Sequence, residues 1–266
     1  MKIAVVSTKG MQVGKTTLSL MLSNIYPNAS LRESVYVTNK SLEEILSLEK
    51  FNVDELSVEK GINVITSLIE TDNIRESDLI DYAYRPNYTK AMLFDIYSTS
   101  ISKKESNLNF MNVIKKLGSR FIVLDINGDP NSEEVSELLD NCDVVLYVFK
   151  PTKKEALSAS KYYNSLEETN KIKTKLVCNM LDPIGISRKT IQDVIKIRAN
   201  QILWFPYHVN IQRTMFEGRL CRLNSLIIEG KDNCISLRQP LKDILSFCCD
   251  TSAHKVIKEL KDWILG

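Results

Sequence analysis

Short, nearly unbroken apolar runs alternate along the chain with longer stretches dominated by charged and polar residues. Runs at Lys2–Ser7, Val35–Thr38, Ile62–Ser67, Ala91–Tyr97, Phe121–Ile126, Val144–Phe149, Lys175–Cys178 and Ile202–Phe205 read as strands. Several are apolar at almost every position, not at alternate ones, which predicts strands covered on both faces, as in a parallel sheet. Leu18, Leu20, Met21, Leu22 and Ile25 mark an apolar helix after the first run, and helical patterns follow at Leu42–Lys50, Asp72–Tyr84, Asn107–Leu117, Ser132–Leu139, Lys154–Thr169 and Ser187–Arg198. Strand and helix in alternation predict an α/β fold, doubly wound, with a mainly parallel sheet and helices on both faces. Arg85-Pro86-Asn87-Tyr88 is the clearest internal turn. With no Pro/Gly/Ser-rich linker, repeat or low-complexity segment to divide it, the span 1–266 reads as a single domain ending in a helix at about 252–265.

A length of 266 residues with 44% hydrophobic content suffices for one large buried core. No stretch approaches the about 18–20 apolar residues of a membrane span, and the first apolar run is too short for a signal peptide, so a cytosolic protein is expected. Six cysteines lie without C-x-x-C spacing beside only two histidines, which predicts reduced, buried thiols and no thiolate metal site. A net charge of +2 excludes a globally basic nucleic-acid binder, so any basic surface must be local.

The densest chemistry follows the first strand. Lys9-Gly10-Met11-Gln12-Val13-Gly14-Lys15-Thr16-Thr17 joins that strand to the first helix. Backbone N–H groups from Gly10 to Gly14 can turn toward phosphate oxygens, and the helix brings its positive end to the same place. Lys15 would reach the β- and γ-phosphates, and Thr16 would offer its hydroxyl to Mg²⁺. The pattern G-x-x-x-x-G-K-[ST] is met only in its second half, since Lys9 stands where the first glycine is usual; a lysine-bearing strand-to-helix turn is the plain alternative.

Further along, Phe121-Ile122-Val123-Leu124-Asp125 ends an apolar strand in a carboxylate, followed by Asn127-Gly128-Asp129-Pro130. An acid at that tip can hold the Mg²⁺ shell through water, and the turn behind it can move when the γ-phosphate leaves; a strand-capping aspartate is the alternative. Asn179 closes another strand with an amide able to pair with an adenine edge. Trp204-Phe205-Pro206-Tyr207-His208 closes the next in an aromatic, proline-fixed turn suited to lying against a base, or to a core.

In this order the motifs resemble the ParA/MinD family of deviant Walker A ATPases, which carry K-G-G-x-G-K-[ST]-T, a strand ending in aspartate, a strand ending in asparagine, and I-P-Y-[DE] before a helix and E-G. Those places are held by Lys9–Thr17, Asp125, Asn179, Phe205–His208 and Glu217-Gly218, so the resemblance spans residues 1 to about 230. Ser77–Tyr82, Ala91–Phe94 and Phe121–Asp125 are laid out as in the CpaE/TadZ-like branch linked to pilus assembly. The resemblance implies a P-loop NTPase fold, ATP/ADP and Mg²⁺ as cofactors, and a nucleotide-dependent homodimer that docks on a partner to position, partition or assemble a cellular cargo. It also implies catalytic roles for Lys15, Asp125 and Lys9, the last as the lysine that reaches the second subunit. The base would lie against Asn179, Pro206 and Tyr207.

Two departures modify these expectations. Lys9 stands one residue further from Gly14 than the family pattern, with Met11 and Gln12 where glycine is usual, and side chains there would reshape or block close docking of two loops. Val35-Tyr36-Val37-Thr38-Asn39-Lys40 carries no acid where the family positions its attacking water, so slow or absent hydrolysis is expected unless Asp54 or Asp129 substitutes. A non-hydrolysing scaffold of the same fold is therefore a second reading, and a ligase of the dethiobiotin synthetase or cobyrinate amidase kind a third. At the C-terminus, Val256, Ile257, Leu260, Trp263 and Ile264 form one apolar helix stripe, expected either to dock on the domain or to touch a membrane. Arg213, Arg219, Arg222 and Arg238 offer a local basic surface for non-specific DNA, or an ordinary solvated face given the interleaved Glu217, Glu229 and Asp232.

Overall fold

The computed structural model describes residues 1–8, 12–30, 34–38, 91–95, 120–182, 184–217, 219–230 and 234–251, with Ala83, Ile114, Leu117 and Ile264 as isolated positions. The expected strand Ile62–Ser67, the three expected helices between residues 42 and 117, and the Arg85–Tyr88 turn lie outside the described residues apart from those positions.

Seven of the eight expected strands are present: β1 (Lys2–Val6), β2 (Ser34–Thr38), β3 (Ala91–Asp95), β4 (Phe121–Asp125), β5 (Val144–Phe149), β6 (Thr174–Leu181) and β7 (Ile202–Pro206). They form one sheet of order β3-β2-β4-β1-β5-β6-β7 in which every neighbouring pair is parallel. Their side chains alternate between two cores. Ile3, Val5, Tyr36, Val123, Leu146 and Val177 face one side, and Ala4, Val37, Leu124, Val145 and Leu176 face the other. With both faces covered, the strands are apolar throughout, as the sequence pattern requires.

The first core is roofed by α1 (Lys15–Ser30), and the second by α2 (Glu133–Asp140), α3 (Lys153–Ser165) and α5 (Arg188–Ile195), with the short α4 (Glu168–Ile172) between. Ser132, Thr152 and Ser187 cap α2, α3 and α5 by accepting from the third residue on, which fixes where each helix starts. The single helix expected over Lys154–Thr169 is divided, because Leu166 leaves the helical region (φ −73°, ψ 145°) and packs half-buried on the second core.

The C-terminal third holds α6 (Val209–Phe216), α7 (Leu220–Glu229) and α8 (Ile235–Thr251). The last two were not among the expected helices. They bury Leu220, Leu223 and Ile227, and Leu237, Leu241, Ile244, Leu245 and Cys248, on the α1 side of the sheet, an i, i+3, i+4 spacing that was present in the sequence. Gly230, at φ +69°, closes α7 in the left-handed conformation that glycine adopts without cost. Of the tail helix only Ile264 is described, and it packs half-buried against this same core. Among the described residues no helix is long and apolar enough to cross a membrane.

Leu223 is fully buried and Phe216 is 94% exposed. Leu223→Ala is expected to lower unfolding free energy by about 2–5 kcal/mol in urea denaturation, and Phe216→Ala by less than about 0.5 kcal/mol. Cys142, Cys178 and Cys248 are buried free thiols. Burial pushes the Cys142 and Cys178 thiols from 9.0 up to about 12, and Cys248 and the Tyr36 phenol well above their ordinary values. The folded chain keeps these protons where the unfolded chain loses them. Their contribution to stability is therefore complete below pH 9 and declines as pH rises from 9 toward about 12. Urea unfolding at stepped alkaline pH should show that decline, and a rise over the interval would contradict it.

Candidate functional site

Because β4 and β5 flank β1, the loop after β1 emerges where the chain has wound to both sides of the sheet. Ligands in open parallel sheets bind at such a switch point, beyond the carboxyl ends of the strands. The ladder of α1 starts with Leu18 N–H donating to the Gly14 carbonyl at 3.0 Å, which aims the positive end of the helix into this crevice.

Gly14 has φ +78°, and a Cβ added to it would lie 2.5 Å from Asn179 Nδ2 and 3.0 Å from Met180 Cε. Backbone conformation and lack of space thus both demand glycine. Asn179 presses on the loop because β6 bulges. Cys178 pairs with Trp204 and Leu181 with Pro206, leaving one extra residue on β6, and Met180 takes φ +59°. The bulge directs the Asn179 amide inward, where Nδ2 donates to the Val13 carbonyl at 2.7 Å and Oδ1 accepts from Met180 N–H at 2.9 Å.

On the other side of the loop stands Asp125, fully buried at the end of β4 and paired in register with Val5 of β1 and Thr38 of β2. Its Oδ2 accepts from Thr16 Oγ1 at 2.6 Å and from the Tyr36 hydroxyl at 3.0 Å. Oδ1 makes no hydrogen bond and faces Lys15 Nζ at 3.9 Å. Lys15 is itself only 6% exposed and donates to the Ile126 carbonyl. Burial and the Asp125 charge raise the Tyr36 phenol well above its ordinary value, so it remains a donor. A buried carboxylate is tolerable here because a cation and two hydroxyls surround it. A hydroxyl and a carboxylate with one oxygen lacking a hydrogen bond are hard oxygen donors of the kind Mg²⁺ takes, so Thr16 and Asp125 fit that ion.

Beyond Asn179 the crevice continues as a narrow cleft of about 40 Å³ between α1 and α6, lined by Thr17, Met21, Asn179, Pro206, Tyr207 and Met215. Thr17 Oγ1 donates to Met215 Sδ at 3.3 Å across it. Tyr207 stands half-exposed at the mouth and donates its hydroxyl to Gln212 Oε1 at 2.7 Å, while His208 caps α6 by accepting from Asn210 N–H at 3.2 Å. A separate groove of about 430 Å³ lies between α6 and α7, and Arg213, Arg219 and Arg222 line it. Glu217 offsets part of that charge, 2.9 Å from Arg213 Nε and 3.9 Å from Arg219 Nη1.

The expected residues therefore gather in one crevice: Gly14, Lys15, Thr16 and Asp125 at the β1–α1 loop, and Thr17, Asn179, Pro206 and Tyr207 along the cleft. Gln12 is exposed, and Val13 buries its side chain in the α1 core. Lys9, Gly10 and Met11 lie outside the described residues, as do Asn39, Lys40, Asp54 and Gly218. Asn179, expected to meet the base, lines the cleft and also donates its amide to the Val13 carbonyl, holding the loop. Thr38 is fully buried and donates to the Asp125 carbonyl, and the exposed Asp129 accepts from Asn131 within its own turn. Tyr36 and Met215 were not foreseen as site residues. An aromatic inside an apolar run reads as core, and only its register opposite β4 shows that its hydroxyl reaches Asp125.

No family model and no curated protein sequence matches the chain. Solved structures do. A ParA family ATPase from Chlorobium tepidum TLS superposes with a TM-score of 0.66 at 14% identity, covering 92% of this chain and 97% of its own. The MinC:MinD cell division complex of Aquifex aeolicus gives 0.63 at 14% identity, covering 97% and 100%. A putative plasmid partition protein of Borrelia burgdorferi B31 bound to AMPPNP gives 0.63 at 14% identity, covering 94% and 99%. At this identity the likeness concerns architecture, and it extends over nearly the whole of each chain. The protein has the fold of the ParA/MinD ATPases.

Proposed function

We propose that this protein is a ParA/MinD-like ATPase that binds ATP and ADP with Mg²⁺ and uses nucleotide state to control self-association and docking on a partner. Its cellular task would be the positioning, partitioning or assembly of a cargo. The observation that carries this reading is the convergence of Lys15, Thr16 and Asp125 beneath the positive end of α1, at the switch point of a parallel sheet. Lys15 and the loop amides bind the phosphates, Thr16 and Asp125 hold Mg²⁺, and the cleft between Asn179 and Tyr207 receives the base. Mg²⁺ bound there would neutralise phosphate charge and help align the γ-phosphate. The remaining work is electrostatic and positional, since Lys15 can exchange the Ile126 carbonyl for a phosphate oxygen without leaving the crevice.

The Borrelia protein bound to AMPPNP and the MinD complexed with MinC support a nucleotide and a protein partner as the kinds of ligand for this fold. Lys9 is proposed to reach a second copy. Non-specific DNA at the arginine groove, and peripheral membrane contact through the tail, are further docking modes, the second weakened by the inward packing of Ile264. One observation favours a second reading, nucleotide binding with slow or no hydrolysis. Thr38, at the end of β2, is fully buried with its hydroxyl on the Asp125 carbonyl, and unlike a carboxylate it cannot take a proton from an attacking water.

Calorimetric titration with ATP and Mg²⁺ tests the proposal. Lys15→Ala should weaken binding roughly 100-fold, and unchanged affinity would overturn the assignment. The same change takes the ammonium away from buried Asp125 and should cost about 3–5 kcal/mol of stability, so the Lys15→Ala/Asp125→Asn pair serves as the folded control. Asn179→Ala should weaken ATP and GTP equally, as expected for a residue that acts on the loop, whereas a loss confined to ATP would return Asn179 to the base.

A further inference from the structure

Tyr36 is central in β2, fully buried, and on the same face of the sheet as Asp125 of the neighbouring strand. Its hydroxyl lies 3.0 Å from Asp125 Oδ2, the oxygen that also accepts from Thr16 at 2.6 Å. Two donors therefore converge on one carboxylate oxygen and leave the other, Oδ1, without a hydrogen bond and turned toward Lys15. An aspartate carboxylate, placed by two rotatable side-chain bonds, would otherwise be free to swing. Thr16 gives Oδ2 one donor and keeps its lone pairs for a cation when one binds. The phenol gives the same oxygen a second donor from a different strand, so the carboxylate is held from two directions. Being buried, it stays in place against Oδ2.

We propose that the Tyr36 hydroxyl is a positioning group for the metal-side carboxylate, fixing Asp125 so that Oδ1 faces the Mg²⁺ shell of a bound nucleotide. This rests on the nucleotide reading given above. Tyr36 touches neither nucleotide nor metal; it acts through Asp125. A purely structural phenol would need Asp125 only as a hydrogen-bond partner, and its loss would weaken the fold without altering how much Mg²⁺ strengthens nucleotide binding.

The test compares the affinity of the full chain for ATP in Mg²⁺ and in EDTA, a binding readout that does not require turnover. Tyr36→Phe keeps the ring in the core, and Tyr36→Met keeps the bulk without the ring. Both should bind ATP in EDTA within about twofold of the native chain, while the gain conferred by Mg²⁺ falls about tenfold, equivalent to about 1.4 kcal/mol. In an Asp125→Asn background the Tyr36→Phe change should have no further effect. A Mg²⁺-dependent gain that survives in both Tyr36 variants, a loss of the same size in EDTA, or an equal further loss in the Asp125→Asn background would overturn the proposal. Absence of ATP binding by the native chain in both media would instead remove the nucleotide assignment, and this inference with it.

Discussion

A carboxylate with no solvent exposure at the end of β4 imposes the central constraint on this molecule. Asp125 stays buried only while Lys15, Thr16 and Tyr36 surround it, and those three come from the loop helix and from the strand beside it. Breaking such a set leaves a desolvated charge, at a cost of several kcal/mol. The crevice is thus held in shape before any ligand arrives. The same contacts make it responsive. Lys15 rests on the carbonyl of Ile126, the first residue beyond β4, so a phosphate bound as proposed and drawing the ammonium away would also release the start of the turn at residues 126–130. Under that proposal, phosphate occupancy and the conformation of the turn would be coupled through one side chain.

The loop is held from the opposite side by Asn179. A bulge in β6 and the positive φ of Met180 carry the amide to the Val13 carbonyl, and Gly14 leaves the space into which it fits. β4 and β6, on either side of the β1–β5 pair, therefore clamp one backbone segment. The clamp on the β6 side also forms the wall of the cleft, which α6 closes through the Thr17–Met215 contact. Movement of α6 would widen a cleft that is now narrow, and it would shift the arginine groove on the other side of the same helix.

Much of this was legible in the amino-acid sequence, for a definite reason. In a parallel sheet covered on both faces, strands are apolar throughout, and seven of the eight apolar runs are strands of one sheet. Gly14-Lys15-Thr16 and Asp125 were recognisable because their chemistry depends on residue type at fixed places along the chain. Two helices, α7 and α8, carry apolar spacing of the same kind, but no motif beside them and, in α8, an internal Pro240. The contacts that depend on register were hidden. Nothing in Val35-Tyr36-Val37 shows that the phenol meets a carboxylate about ninety residues away, a separation that the hydrogen bond spans as 89 positions. Nor does a non-glycine residue announce a positive φ, so the bulge that brings Asn179 onto the loop had no signal in the sequence.

The Asp125 cluster is proposed to be a phosphate and Mg²⁺ site held ready by its own side chains. A crystal structure of the protein with AMPPNP and Mg²⁺ tests it most directly. The expected result is Lys15 Nζ transferred from the Ile126 carbonyl to the β- and γ-phosphate oxygens, Thr16 Oγ1 on the ion, and Asp125 on its water shell with Tyr36 still donating to Oδ2. Nucleotide bound away from the β1–α1 loop, with Lys15 still on Ile126, would contradict it.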